Sequence, residues 1–198
     1  MRASTKKPAP LAAARASKAF CVVAERSEDS QIPAVNQASI LGIDIGSKGA
    51  IALLTPNGEL LDAVEMPYLN DGPAGRRNVN GPLLAEIIAK AHASSAYVEL
   101  VGARPGEGAV GAFPFGRSRG VAEGVIAALG IRVTHISPAS WKRAIGIPVG
   151  REGAKDAARS EALRRWPNKA ALFTRKCDEG KAEAALIAVA ALSREAAR

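Results

Sequence analysis

Two carboxylates stand where ordinary folding does not favour them. Asp44 interrupts the apolar run ILGIDIGSKGAIALL, residues 40–54, and Glu99 interrupts AYVELVG, residues 96–102. A carboxylate in a strand buried on both faces is costly unless something pairs with it or coordinates it. One such residue is readable as a hydrogen-bonded oddity, whereas two in separate strands are better explained by a shared cation. A third group lies in RKCDEGKAEAALIAVAAL. There Glu183 begins the apolar segment, among Ala182, Ala184, Ala185, Leu186 and Ile187, and Glu179 lies one turn earlier at i, i+4 on the same helix face. Asp178 adjoins Glu179, and capping of the helix and its dipole accounts for Asp178 without any ion. Carboxylate oxygens from two strands and a helix, with no His or Cys, suit Mg²⁺ or Mn²⁺. Two such ions about 4 Å apart can activate a water and stabilise the leaving oxygen of a phosphodiester.

The elements that must hold these groups follow from periodicity and turn residues. Residues 40–46 and 49–55 read as strands around a Gly-Ser-Lys-Gly turn, and Pro56-Asn57-Gly58 leads into a third strand over 59–66. Residues 67–80, rich in Gly, Asn, Pro and Arg, read as a loop. Leu83, Leu84, Ile87, Ile88 and Ala91 recur at helical spacing. A fourth strand over 96–102 places Glu99 at its centre, and a Gly- and Pro-rich connector leads to a helix near 119–129. A strand over 131–136, a short helical turn around Trp141, a charged helix over 152–166 and a last helix over 179–195 complete the chain. Three antiparallel strands followed by alternating helix and strand predict an α/β fold, a five-stranded mixed sheet with helices on both faces. No internal repeat is visible.

Composition bounds the partners. With 198 residues and 47% apolar content, one domain plus a tail is the expectation. Residues 1–39, dominated by Ala, Ser, Lys, Arg and Pro, read as a disordered basic tail ahead of a domain over 40–198. The lack of acidic residues before Glu25 would also fit a transit peptide, a weaker reading given the Glu-Asp-Ser cluster that follows; a start placed too far upstream would look the same. A net charge of +8 points to a polyanion, nucleic acid first. Cys21 and Cys177 give neither a disulfide framework nor a zinc site, which fits a reducing, cytoplasmic location. His92, in an expected helix, and His135, in an expected strand, read as ordinary fold residues. No apolar run approaches the roughly 18 residues of a spanning helix, so no membrane partner is expected.

Taken in order, GIDIGSKGA, YVELV, FPFGRSRGVAEGVIAALGI, SPASWKRAIG and KCDEGKAEAALIA resemble the RuvC-like Holliday junction resolvases of the RNase H superfamily, of the phage and bacterial type, from Ile40 to about Ala191. The resemblance implies an RNase H-like fold, with Asp44 and Glu99 as the two strand ligands and Glu183 as the ligand of the last helix. It implies one further ligand, Glu179 or Asp178, because Gly180 holds the position that some members fill with Asp. It also implies two Mg²⁺ or Mn²⁺ ions per active site, basic residues near the scissile phosphate at Lys142 and Lys155, and branched DNA as substrate. The products would carry 5′-phosphate and 3′-hydroxyl ends, and two symmetric nicks imply a C2 homodimer.

In some members an aromatic that wedges into the junction follows the second strand acid by three residues, where this chain has Gly102. Phe113 can serve instead, with Phe115 as a core anchor and Arg117 and Arg119 on phosphates. Two other readings compete. GIDIGSKGA also resembles the first phosphate loop of sugar-kinase and actin-like phosphotransferases, a fold that needs a duplicated domain and a second glycine-rich loop. An RNase H-like module that binds or cuts nucleic acid without junction selectivity is the nearer alternative.

Overall fold

The structure, a computed structural model, describes residues 39–45, 48–70, 77–102, 106, 108–149 and 154–195, all within the compact unit Ala34–Arg198. The tail expected over residues 1–39 lies outside the described residues except for Ser39, as does the side chain of Lys155.

β1 (Ser39–Asp44), β2 (Ala50–Leu54) and β3 (Leu60–Glu65) form an antiparallel meander. β6 (Ala93–Glu99) pairs parallel with β1, and β7 (Arg132–Ile136) pairs parallel with β6. One mixed sheet of five strands results, in the order β3-β2-β1-β6-β7. β4 (Tyr68–Leu69) and β5 (Asn78–Val79) make a separate two-stranded ribbon within the segment read from sequence as loop.

β1 is central, and its side chains alternate between two cores. Leu41 and Ile43 meet Leu84 and Ile88 of α1 (Gly81–Lys90) and Ala122 and Ile126 of α2 (Ala109–Ala128). Ile40 faces the other way, with Tyr97 of β6, toward Trp141 of α3 (Pro138–Ile145), Ala158 and Ala162 of α4 (Ala154–Arg165) and most of α5 (Glu179–Glu195). Helices therefore cover both faces, as expected.

α5 is buried nearly all round, at Ala182, Ala184–Ala188, Ala190 and Ala191, because it lies between the sheet and the outer helices. Small residues permit that approach. A Cβ at Gly42 would overlap the Ala184 carbonyl oxygen and lie 2.9 Å from Ala188 Cβ, so the strand requires glycine where the helix crosses it.

Several boundaries differ from the sequence reading. β6 starts at Ala93 and ends at Glu99, so Glu99 closes the strand instead of standing at its centre, and Asp44 likewise closes β1. Apolar residues run past both ends, Ile45 after one and Leu100 after the other, and hydrophobicity does not mark where strand pairing stops. α2 begins ten residues before the expected Arg119 and takes in Phe113, Pro114 and Phe115. His92 sits in the turn after α1 with φ +48°, not in the helix.

Candidate active site

The parallel register pairs Gly42 with Tyr97 and Ile43 with Val98, so Asp44 and Glu99 end neighbouring strands one step beyond. Alternation puts both on the face shared by Ile40, Gly42 and Tyr97, beneath α5. Both are buried, at 7% and 9% exposure. The carboxyl ends of parallel strands border the crevice where α/β sheets bind ligands.

α5 brings its own acids to this end. Its first turn lies directly on the β1–β2 turn, where a Cβ at Gly180 would overlap the Lys48 carbonyl oxygen. No acidic side chain fits at 180, and the helix can present Glu179 and Glu183 instead. Burial pushes the Glu183 carboxyl above the usual carboxylate range; Lys142 opposes the shift, while the charges of Glu99 and Glu179 add to it. Glu183 thus feels the charges of both Glu99 and Glu179 at the same end of the sheet.

Asp178 faces elsewhere. It is fully buried, and its oxygens accept from the Arg175 backbone N–H at 2.9 Å, from Arg175 Nε at 3.1 Å and Nη2 at 2.8 Å, and from Lys181 Nζ at 3.2 Å. The hydrogen bonds from Arg175 hold its carboxyl at about 2, well below the usual range. These contacts cap the short turn at residues 176–178 that leads into α5, and none of them reaches a backbone N–H of α5 itself.

α3 supplies the positive and neutral donors. It starts right after β7, with Pro138 in its first turn and the Ser137 hydroxyl accepting from the Ser140 N–H at 3.3 Å. Trp141, fully buried, donates its indole N–H to Glu99 Oε1 at 2.7 Å. Lys142 Nζ lies 3.6 Å from Glu183 Oε1 and 5.1 Å from the centre of the Trp141 ring.

Burial and then the Asp44 charge push the Tyr68 hydroxyl up to about 12, so it stays protonated at neutral pH. The Arg77 guanidinium lies 5.8 Å from the Tyr68 ring centre.

The residues expected to meet DNA fall on three helices: Phe113, Arg117 and Arg119 on α2, Lys142 on α3 and Lys155 on α4. Phe113, 75% exposed, and Arg117, also exposed, project from the first half of α2, and Phe115 is half-buried. Arg119 is engaged: its Nε donates to Glu123 Oε1 at 2.7 Å and its Nη1 to the Val101 carbonyl at 3.1 Å. His135 Nε2 lies 2.7 Å from the same Glu123 oxygen, so this histidine is a satisfied fold residue. Burial pushes the Glu123 carboxyl up, but the hydrogen bonds from Arg119 and His135 outweigh it and leave it below the usual range.

Sequence reasoning missed the Trp141–Glu99 bond, the Arg119–Glu123–His135 brace and Tyr68. A buried indole needs an acceptor, which was a usable signal for the first. The other two depend on how α2, β7 and the β4–β5 ribbon meet the sheet, and periodicity does not encode that.

The donor set has the chemistry a hard divalent cation requires: carboxylate oxygens alone, half-buried or buried, with the charges of Glu99 and Glu179 both acting on Glu183. Among the described residues, no three acidic, His or Cys side chains already stand in a cage around one point. Lys142 is the counter-charge of Glu183 in this arrangement.

No protein-family model matches the chain, and no curated protein matches its sequence. Solved structures do. The chain is similar to RuvC of T. thermophilus in complex with Holliday junction substrate, at 19% identity and a TM-score of 0.57, over 81% of this chain and 96% of that one. It is also similar to a second structure of Thermus thermophilus RuvC, at 19% identity and a TM-score of 0.56, over 81% and 97% of the two chains. The likeness shows an RNase H-like fold of the RuvC kind.

Proposed function

We propose that the chain is a divalent-metal-dependent endonuclease that cuts branched DNA, a Holliday junction resolvase. The observation that carries this reading is the placement of Asp44 and Glu99 at adjacent strand ends beneath the first turns of α5, which bear Glu179 and Glu183. The fold likeness supports it, since one of the similar structures is a RuvC bound to a Holliday junction.

Asp44, Glu99, Glu183 and Glu179 would hold two Mg²⁺ or Mn²⁺ ions, which supply water activation and stabilisation of the leaving oxygen. Asp178, held by Arg175 and Lys181, is structural in this scheme. Lys142, between Glu183 and the Trp141 ring, suits the non-bridging oxygens of the scissile phosphate. Phe113 and Arg117 on α2 offer a stacking surface and a phosphate contact, with Lys155 of α4 as a further basic residue. A C2 homodimer places two active sites across one junction.

A second reading keeps the nuclease chemistry without junction selectivity. Gly102 favours it, since no aromatic follows Glu99 at the wedge position. A labelled four-way junction, a linear duplex and a flap, each incubated with Mg²⁺, separate the two. Paired symmetric nicks confined to the junction are expected for the resolvase. Equal cutting of all three substrates would establish the unselective nuclease.

A further inference from the structure

α3 reaches the acidic end of the sheet with two consecutive side chains of different kinds. Lys142 brings a positive charge to Glu183, and Trp141 brings a neutral N–H to Glu99. The difference has a consequence for metal binding. A lysine or arginine on Glu99 would satisfy the carboxylate by cancelling its charge and would compete with any cation. An indole N–H satisfies one lone pair and leaves the charge in place.

The donor is also rigid. The Trp141 ring has no exposed surface, and its backbone N–H donates to the Ser137 carbonyl at 3.1 Å. Ile136, immediately before Ser137, is the β7 residue in register with Glu99. The strand end that carries the carboxylate and the helix start that carries its partner are therefore joined through one short junction. Glu99 itself has a long side chain, and Trp141 is its hydrogen-bond partner among the described residues.

We propose that Trp141 is the positioning residue of Glu99: its indole N–H holds Oε1 and so sets which carboxylate oxygen Glu99 offers to a divalent ion. This deepens the nuclease reading above and rests on it. Loss of a hydrogen-bonding partner behind a metal ligand typically costs about 10–100-fold in metal affinity, and Trp141→Phe is expected to fall in that range.

The test is a titration of the ¹⁵N-labelled protein with MgCl₂, followed on its two tryptophan indole N–H signals, alongside calorimetric Mg²⁺ and Mn²⁺ binding. Trp166→Phe leaves the Trp141 signal and identifies it. The Trp141 signal is expected to shift saturably with Mg²⁺, to move in Glu99→Gln without metal, and to lose its Mg²⁺ response in that variant. Trp141→Phe is expected to weaken metal binding about 10–100-fold and to raise, by the same factor, the Mg²⁺ needed for half-maximal nicking. If the Phe variant does not fold, the indole titration still decides. Metal binding by the wild type with an unmoved Trp141 signal overturns the positioning role and leaves the nuclease site standing. No metal binding by the wild type overturns both.

Discussion

Asp178 and Glu179 are neighbours in sequence, and single substitutions should tell them apart. Asp178 is enclosed by Arg175 and Lys181, so Asp178→Ala is expected to cost about 2 kcal/mol of stability with little effect on cleavage at temperatures where the variant is folded. Its carboxyl, held at about 2 against an ordinary 3.8, contributes stability that is complete above the ordinary value. That contribution is lost as pH falls from 3.8 to about 2, so the melting curves of wild type and Asp178→Ala should converge across that window. Glu179→Gln should do the reverse, lowering cleavage and leaving stability nearly unchanged. Glu183 has the opposite sign, because its raised carboxyl makes the ionised form a cost in the folded state, relieved as pH falls through the raised value. Glu183→Gln is therefore expected to melt higher than the wild type at pH 7 without metal. Added Mg²⁺ should stabilise the wild type and not the variant.

Glycines on two helices and one strand make the same contrast for elements. Gly42 and Gly180 have no room for a Cβ, since each faces a backbone carbonyl, and Gly42→Ala and Gly180→Ala should both displace α5 from the sheet and reduce cleavage. Gly120 of α2 has open space where a methyl would go, with nothing within 4 Å, and Gly120→Ala should stabilise the protein by about 1 kcal/mol in denaturant unfolding. The meander β1–β3 and α5 were legible in the sequence because their apolar patterns and turn residues agree. β6 and α2 were less so. Ala93, Ser94 and Ser95 carry no strand signal, yet they extend β6 because β1 pairs with this start of the strand, joined by β7 from Ser95. The first half of α2, with Gly111, Pro114 and Gly116, reads as connector by propensity. Its second half, anchored through Ala122 and Ile126, continues the helix back through it. Of the site, Asp44 and Glu99 stood out because each breaks an apolar run, Glu183 because it begins one, and Glu179 only through its i, i+4 spacing from Glu183. Their partners were not, because Trp141 and Tyr68 reach Glu99 and Asp44 from elements distant in sequence.

For the whole molecule, the excess of positive charge matters through DNA. A net charge of +8 should make junction binding fall steeply with salt, and Lys142→Ala should flatten that slope by about one unit while also slowing cleavage, if Lys142 meets a phosphate. Light scattering of the protein on its junction should give two chains per DNA, and a single chain would contradict the paired-nick scheme. The central claim is that the acids at the ends of β1 and β6 do the chemistry and do not merely hold the fold. It is tested most directly by Asp44→Asn on one labelled four-way junction, with binding and Mg²⁺-dependent nicking measured side by side. Binding within a few-fold of wild type with nicking abolished is the expected result; nicking near the wild-type rate would contradict the claim.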